Sequence, residues 1–343
     1  MRTPAALFAV AVALGSFAAC SGDSGGPASP NPLGADSAVL LQDFSARTFL
    51  PADNWWNRDI SAAPVDANSD TLIHFISART AGNPGANRQM HPDFGPPPYG
   101  IPYIGVSDAE SLQPVTFVLY GSQSDNGAPG QPAGYPIPRA TRTSANHIEG
   151  GLPGGGTTGD RHLIIVDRDR NLLFETWATR WNAGAGRWEA GSGAVFDLAS
   201  NARRTEGWTS ADAAGLAIFP GLVRHDEYVR NAPITHAFRV TVRATNGHVW
   251  PASHTAGSTA GALPMGARLR LKASLDISGY PLEVRRVLQA MKTYGLIVAD
   301  NGSDLYVSGT MDPRWDNDVL NPAFHSVHAN DFEVIQLGWG APP

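Results

Sequence analysis

The residues of this chain best suited to proton chemistry are a few acids and histidines on strand ends and glycine-rich loops. Glu149 stands in His147-Ile148-Glu149-Gly150-Gly151, and Asp160-Arg161-His162 closes the glycine-rich loop that follows. Acids and bases of hydrolytic sites are commonly carried on loops held by rigid strands. A turn cap or a pair with Arg161 would account for Glu149 equally. Glu175 lies in Leu173-Phe174-Glu175-Thr176-Trp177 and alternates onto the face of Leu173 and Trp177. A carboxylate on an apolar face is costly unless paired, and its pKa should rise as a general acid requires. A structural ion pair with an arginine is the competing account. Asp300, in Asp300-Asn301-Gly302-Ser303, follows an apolar run that ends abruptly. It is good turn chemistry and also the kind of strand-end aspartate that sites use.

His236 opens a strand and His254 ends Trp250-Pro251-Ala252-Ser253-His254, so either could abstract a proton. With His162 they could form a three-histidine zinc site, but no pair has the i, i+4 spacing of a metal helix and no cysteine helps. Neutral histidines bonded to backbone are expected instead, with no metal and no cofactor. Catalytic roles therefore fall to Glu149, Glu175, His236, His254 and Asp300. Substrate contacts fall to Asp160, His162, Trp177, Asp212 and Trp250. Asp212, in Thr209-Ser210-Ala211-Asp212-Ala213, is expected in a first helical turn, where the helix dipole favours a carboxylate. His225-Asp226-Glu227 reads as a solvated helix end. The nine tryptophans offer faces on which sugars stack, although tryptophan is equally a core residue.

Three strings mislead. Gly22-Asp23-Ser24-Gly25-Gly26-Pro27 spells a serine-protease nucleophile motif, yet no folded histidine and aspartate precede it. Gly154-Gly155-Gly156-Thr157-Thr158-Gly159 fits G-x-G-x-x-G, but a strand follows where a dinucleotide site needs a helix. Asp167-Arg168-Asp169-Arg170-Asn171 starts like a calcium loop and then fails it, with Leu172 at position six and Ala178 at position twelve.

The elements that must position these residues are mostly strands. His162 to Asp167 is apolar on both faces, as in a central strand, and Leu172 to Thr179 returns from a tight turn as a hairpin. Short apolar runs at 101–106, 115–120, 194–198, 236–242, 269–273, 296–299 and 305–307 are further strands. Asn68 should cap a helix bearing Leu72, Phe75 and Ile76. The clearest helix spans 281–294, with Pro281 in its first turn, a stripe of Val284, Val287, Leu288 and Met291, and Gly295 beyond its end. The expected fold is β-rich α+β, with mostly antiparallel, sandwich-like sheets and a few peripheral helices.

The N-terminus bounds location. Arg2 precedes an apolar run from Ala5 to Leu14, too short for the roughly twenty residues of a membrane span. Phe17-Ala18-Ala19-Cys20 then resembles a bacterial lipobox. By that resemblance residues 1–19 are a leader and Cys20 carries lipid. Ser21, not aspartate, follows, which implies the outer membrane of the cell envelope. Residues 20–37 are Ser-, Gly-, Pro- and Ala-rich and read as a flexible tether, leaving 38–343 as one globular domain. Cys20 is the single cysteine, so the mature domain can form no internal disulfide. The net charge of −6 argues against a nucleic-acid partner, which needs a basic face.

His91-Pro-Asp-Phe-Gly95, Tyr99-Gly-Ile-Pro-Tyr103, Asp160-Arg-His162, Trp208-Thr-Ser-Ala-Asp-Ala-Ala-Gly-Leu216, Trp250-Pro-Ala-Ser-His254 and Ala299-Asp-Asn-Gly-Ser303 occur together. In these strings, over about residues 50–335, the chain resembles a group of uncharacterised secreted bacterial proteins. The resemblance implies export and one extended fold, and it brings no catalytic residues. The expected function is that of a lipid-anchored hydrolase or lyase acting on an extracellular polysaccharide. The alternative is a non-catalytic surface lipoprotein that binds glycan or protein.

Overall fold

The computed structural model describes residues 38–78, 88–127 and 130–342. The leader, Cys20, the tether and the 22–27 string lie outside them.

Strands β1 (Val39–Leu40), β2 (His91–Gly95), β3 (Tyr103–Val106), β4 (Val115–Phe117) and β5 (Leu163–Asp167) come first, with helix α1 (Ser69–Ser77) after β1. Then follow β6 (Leu172–Trp177), β7 (Arg180–Asn182), β8 (Arg187–Ala190), β9 (Ser192–Asp197), α2 (His225–Val229) and β10 (Phe238–Val242). The last are β11 (Arg268–Leu271), α3 (Leu282–Thr293), β12 (Leu296–Asn301), β13 (Tyr306–Met311), α4 (Asn317–His325) and β14 (Phe332–Val334). The protein is thus β-rich, built on three open sheets. Their strand orders are β1-β3-β5-β6-β9, β14-β11-β12-β10-β13-β2 and β4-β8-β7. Most pairs are antiparallel, but β3–β5, β10–β12, β2–β13 and β4–β8 run parallel.

The β5–β6 hairpin forms because Asp167 closes its turn. Its Oδ1 accepts from the amides of Asp169 (3.2 Å) and Arg170 (2.9 Å), and Asn171 takes the left-handed φ of 56° that asparagine tolerates. All five residues of β5 are buried, as the central position demands. In α3 the expected stripe of Val284, Val287, Leu288 and Met291 is buried and Gly295 sits beyond the end at φ 79°. Pro281 is the residue flanking the helix, not part of its first turn. In α1, Asn68 flanks the helix without a side-chain cap, and the helix is held by its buried Leu72, Ile73 and Ile76. Among the described residues no helix is long and apolar enough to cross a membrane.

Two further expectations need correction. Residues 209–217 are not helical. The Thr209 hydroxyl donates to the Asp212 carbonyl (3.0 Å), and Ser210 Oγ donates to the Leu216 carbonyl (2.6 Å) while accepting from the Asp212 amide (2.9 Å). Such local bonds compete with the helical ladder. His225-Asp226-Glu227 is indeed helical, but His225 and Asp226 are buried, so it is not a solvated end.

The segment after residue 209 touches both larger sheets. Ile218 and Phe219 donate their amides to Glu175 on β6, and the Val223 amide donates to the Ser308 carbonyl on β13 (3.0 Å). Phe219 and Leu222 join a core with Tyr103, Ile164, Val166 and Leu173 of the first sheet. The larger core lies around β10, β11 and β12 with α3.

Candidate functional site

A buried arginine organises the site. Arg239 on β10 is 3% exposed. Its Nη2 donates to Asp212 Oδ1 (2.9 Å) and to Asp300 Oδ2 (3.0 Å), Nε to Asp212 Oδ1 (3.2 Å), and Nη1 to Ser308 Oγ (2.6 Å). Burial disfavours its charge, and the two aspartates more than restore it, so its pKa is raised.

Asp300 reaches this arginine through a strand irregularity. In the parallel β10–β12 pair, Arg239 faces Ile297 and Val240 faces Val298, but Thr241 faces Asp300. The extra residue, Ala299, moves Asp300 onto the sheet face of Arg239, which unbroken alternation would have denied it. The Ala299 carbonyl accepts from the Ala214 amide (2.9 Å), tying the bulge to the Asp212 loop.

That loop is fastened to the His254 segment as well. Ser253 donates its amide to the Ala214 carbonyl (3.0 Å), and His254 Nδ1–H donates to the Ala213 carbonyl (2.8 Å). This fixes the tautomer and leaves Nε2 as an acceptor. Gly215 permits the close approach. It sits at φ 74°, and a Cβ there would lie 2.1 Å from Ser253 Oγ and 2.7 Å from the Trp208 carbonyl.

Asp160, Trp177, Asp212, His254, Asp300 and Asn301 line one cavity of about 210 Å³, together with Tyr120 and Ser192. The Trp177 indole donates to Asp160 Oδ1 (3.2 Å), and the Tyr120 ring lies 6.3 Å from the Trp177 ring. Asp160 is exposed, and the Asp300 side chain is 29% exposed; that of Asp212 is 0%. Burial raises the pKa of Asp300 against the pull of Arg239, with Asp160 adding repulsion. Burial likewise pushes Asp212 up to about 6. Asp212 Oδ2 and Asn301 Oδ1 are buried without a hydrogen-bond partner among the described residues.

Glu149 and His162 support this floor. His162 Nδ1 donates to Glu149 Oε2 (2.7 Å) and Nε2 donates to the Ala211 carbonyl (3.2 Å). Both ring nitrogens face acceptors, so the ring is an imidazolium. Burial opposes that charge, but Glu149 outweighs it and holds the His162 pKa up to about 9. Burial raises the Glu149 carboxyl, yet His162 brings it below its ordinary value. In this state His162 has no free lone pair for a base or a metal.

Glu175 lies beside the cavity but does not line it. It is fully buried, and its oxygens accept from the amides of Ile218 (2.8 and 3.0 Å) and Phe219 (2.8 Å). Burial pushes its pKa up to about 7 against those bonds. His236 is elsewhere, sharing Glu227 Oε2 at 2.9 Å in a separate cavity with Arg47, Arg224 and Arg230. His162, His236 and His254 therefore do not converge. Among the described residues no three His, Cys, Asp or Glu side chains are placed to hold a metal ion. Trp250 packs edge-on against Trp55 at 6.0 Å, with Arg58 over its ring at 5.7 Å.

Sequence reasoning missed Arg239, Ser308, Tyr120 and Asp93. Asp93 on β2 has its pKa raised by burial, against the pull of Arg239 and His162 and with Glu149 and Asp160 adding repulsion. Arg239 carried a usable signal: a charge between Phe238 and Val240 in an apolar strand, the same pattern that singled out Glu175. Comparisons with protein-family models, with curated proteins and with solved structures returned no match.

Proposed function

We propose that this is an exported, lipid-anchored enzyme of the outer membrane that cleaves an extracellular polysaccharide. One observation carries the reading. Two solvent-accessible carboxylates, Asp160 and Asp300, and His254 line one cavity with Trp177 and Tyr120. Aromatic faces beside paired acids suit a sugar ring, and two carboxylates flanking a glycosidic bond are the usual apparatus of hydrolysis. At about 210 Å³ the cavity is below the roughly 300–1,000 Å³ usual for drug-sized ligands. It suits one ring at a chain end or bend.

Asp300, whose carboxyl is raised, is the acid that protonates the leaving oxygen. Asp160, oriented by the Trp177 indole, is the carboxylate that attacks the sugar carbon or activates a water. Asp212 shares Arg239 with Asp300 and sets its charge. In the elimination variant His254 Nε2 takes the proton. Glu175, which does not line the cavity and accepts from the Ile218 and Phe219 amides, is assigned to holding the 218–219 turn. The anchor on Cys20 and a sandwich-like stacking of the two larger sheets belong to the same reading, motivated by the lipobox and by strand alternation.

The test is Asp300→Asn in the lipidated protein against a polysaccharide panel. Cleavage should fall by about 10²–10⁴-fold while thermal unfolding stays near wild type. A folded variant that cleaves normally would remove Asp300 from the mechanism. A wild type that binds one polymer and cleaves none would make this a binding protein. Cys20→Ser should shift the protein out of the detergent phase; unchanged partitioning would end the anchor.

A further inference from the structure

Among the side chains that line the cavity, the unspent polar atoms are acceptors, apart from the Tyr120 hydroxyl, which can also donate. The Trp177 indole is committed to Asp160, the Ser192 hydroxyl to the Ser210 carbonyl (2.7 Å), and Asn301 Nδ2 to the Ala256 carbonyl (2.9 Å). The Thr209 hydroxyl goes to the Asp212 carbonyl and the Ser210 hydroxyl to the Leu216 carbonyl (2.6 Å). Behind the floor, Arg239 spends its donors on Asp212, Asp300 and Ser308. Against these stand the orphaned Asp212 Oδ2 and Asn301 Oδ1, both buried, and the open Nε2 of His254. A buried acceptor without a donor is costly, and a ligand that donates would recover that cost.

Charge points the same way. Asp160, Asp212 and Asp300 line the cavity, and Asp93 and Glu149 act on it from nearby, whereas Arg239 and His162 are the cations within range. A uronate or sulfate group would bring acceptors and negative charge to a lining that already has both. A protonated amine brings three donors, no acceptor and a positive charge. Resting on the polysaccharide reading above, we propose that the cavity is a subsite for the ammonium of an amino sugar, so that the substrate is a polymer carrying free amines. Elimination needs a uronate, so bond cleavage on such a polymer is hydrolysis.

The ammonium would sit against Asp212 Oδ2 and Asn301 Oδ1, with the sugar face on Trp177. A cation there would also favour the ionised form of Asp212, which burial holds up at about 6. A metal ion would use the same acceptors, but the acids are not grouped closely enough to coordinate one among the described residues.

The wild-type protein tests this without a variant. Binding by calorimetry and cleavage by product analysis are compared for glucosamine oligomers, the same oligomers fully N-acetylated, a neutral glucan and polygalacturonate, each with and without EDTA. Free-amine oligomers should bind at least about tenfold tighter than their acetylated forms, a gap of roughly 1.4 kcal/mol, with polygalacturonate weakest. Asn301→Leu and Asp212→Asn should each narrow that gap. Equal or tighter binding of polygalacturonate or of the neutral glucan would overturn the subsite. So would calcium alone stabilising the protein and EDTA abolishing oligomer binding. Amine-selective binding without cleavage supports the subsite and sinks the hydrolase. Cleavage of the neutral glucan without amine preference does the reverse.

Discussion

Two regions of this molecule are built from the same parts and behave differently. Each has a buried arginine, two carboxylates and a nearby histidine: Arg239 with Asp212, Asp300 and His162, and Arg224 with Asp226, Glu227 and His236. Around Arg224 each carboxylate oxygen has a protein partner. Glu227 gives one oxygen to Arg224 and the other to His236, while Asp226 accepts from the amides of Phe44 (2.7 Å) and Glu227 (2.8 Å). The arginine itself lies over the rings of Phe49 and Phe219. That cluster staples the 44–49 segment to the core. Around Arg239 one carboxylate oxygen is left over and a second acid faces a cavity. Both clusters border a cavity and Arg224 Nε itself has no hydrogen-bond partner among the described residues, so the difference lies in the carboxylates: every oxygen is used around Arg224, and one is left over around Arg239.

The largest effect that could break this contrast comes from the staple. Arg224→Leu leaves Asp226 and Glu227 buried without their cation, which should cost about 3–5 kcal/mol in urea unfolding. A loss below about 1 kcal/mol would show the cluster is not structural.

The Glu149–His162 pair gives a pH signature. His162 is held charged up to about 9, above its unfolded value near 6.5, so the native state binds the extra proton between those values. Its contribution is complete below about pH 6.5 and is lost as pH rises through about 9, on the order of 2–3 kcal/mol. Glu149→Gln should flatten that part of the stability–pH curve. An unchanged slope would mean that His162 is not the group responsible.

Glu175→Gln keeps the shape but turns an amide donor toward backbone donors. It should cost about 1.5–3 kcal/mol. Burial raises Glu175 to about 7 in the fold, so its contribution is present below the unfolded value and fades as pH rises through about 7. The variant should lose that slope while per-molecule cleavage of the folded fraction stays close to wild type. A cleavage loss without a stability loss would return the acid role to Glu175.

The smallest effect belongs to the wall. Trp177→Phe keeps an aromatic face and removes the indole bond to Asp160, so it should weaken oligomer binding by about 0.5–1.5 kcal/mol with little change in melting temperature. A larger loss would mean that the indole contacts substrate directly.

Local chemistry was legible in the sequence. The β5–β6 hairpin, the stripe of α3 and the burial of Glu175 follow from neighbours within one element. The gathering of Asp160, His162, Trp177, Asp212, His254 and Asp300 around one floor was not, although each had been singled out. It depends on Arg239, on the extra residue at Ala299 and on a loop whose hydroxyls displaced an expected helix. These act between segments far apart in sequence. His236 and His254 both looked able to take a proton, and their partners, Glu227 and the Ala213 carbonyl, lie on segments that no periodicity connects to them.

The contact at Gly215 has a consequence for discrimination. With no room for even a methyl group between this loop and Ser253, the acid-bearing loop and the histidine segment cannot slide past one another. The distance between them works as a fixed gauge. A ring that is one substituent too large cannot be accommodated by a hinge, so its rejection should be abrupt rather than graded.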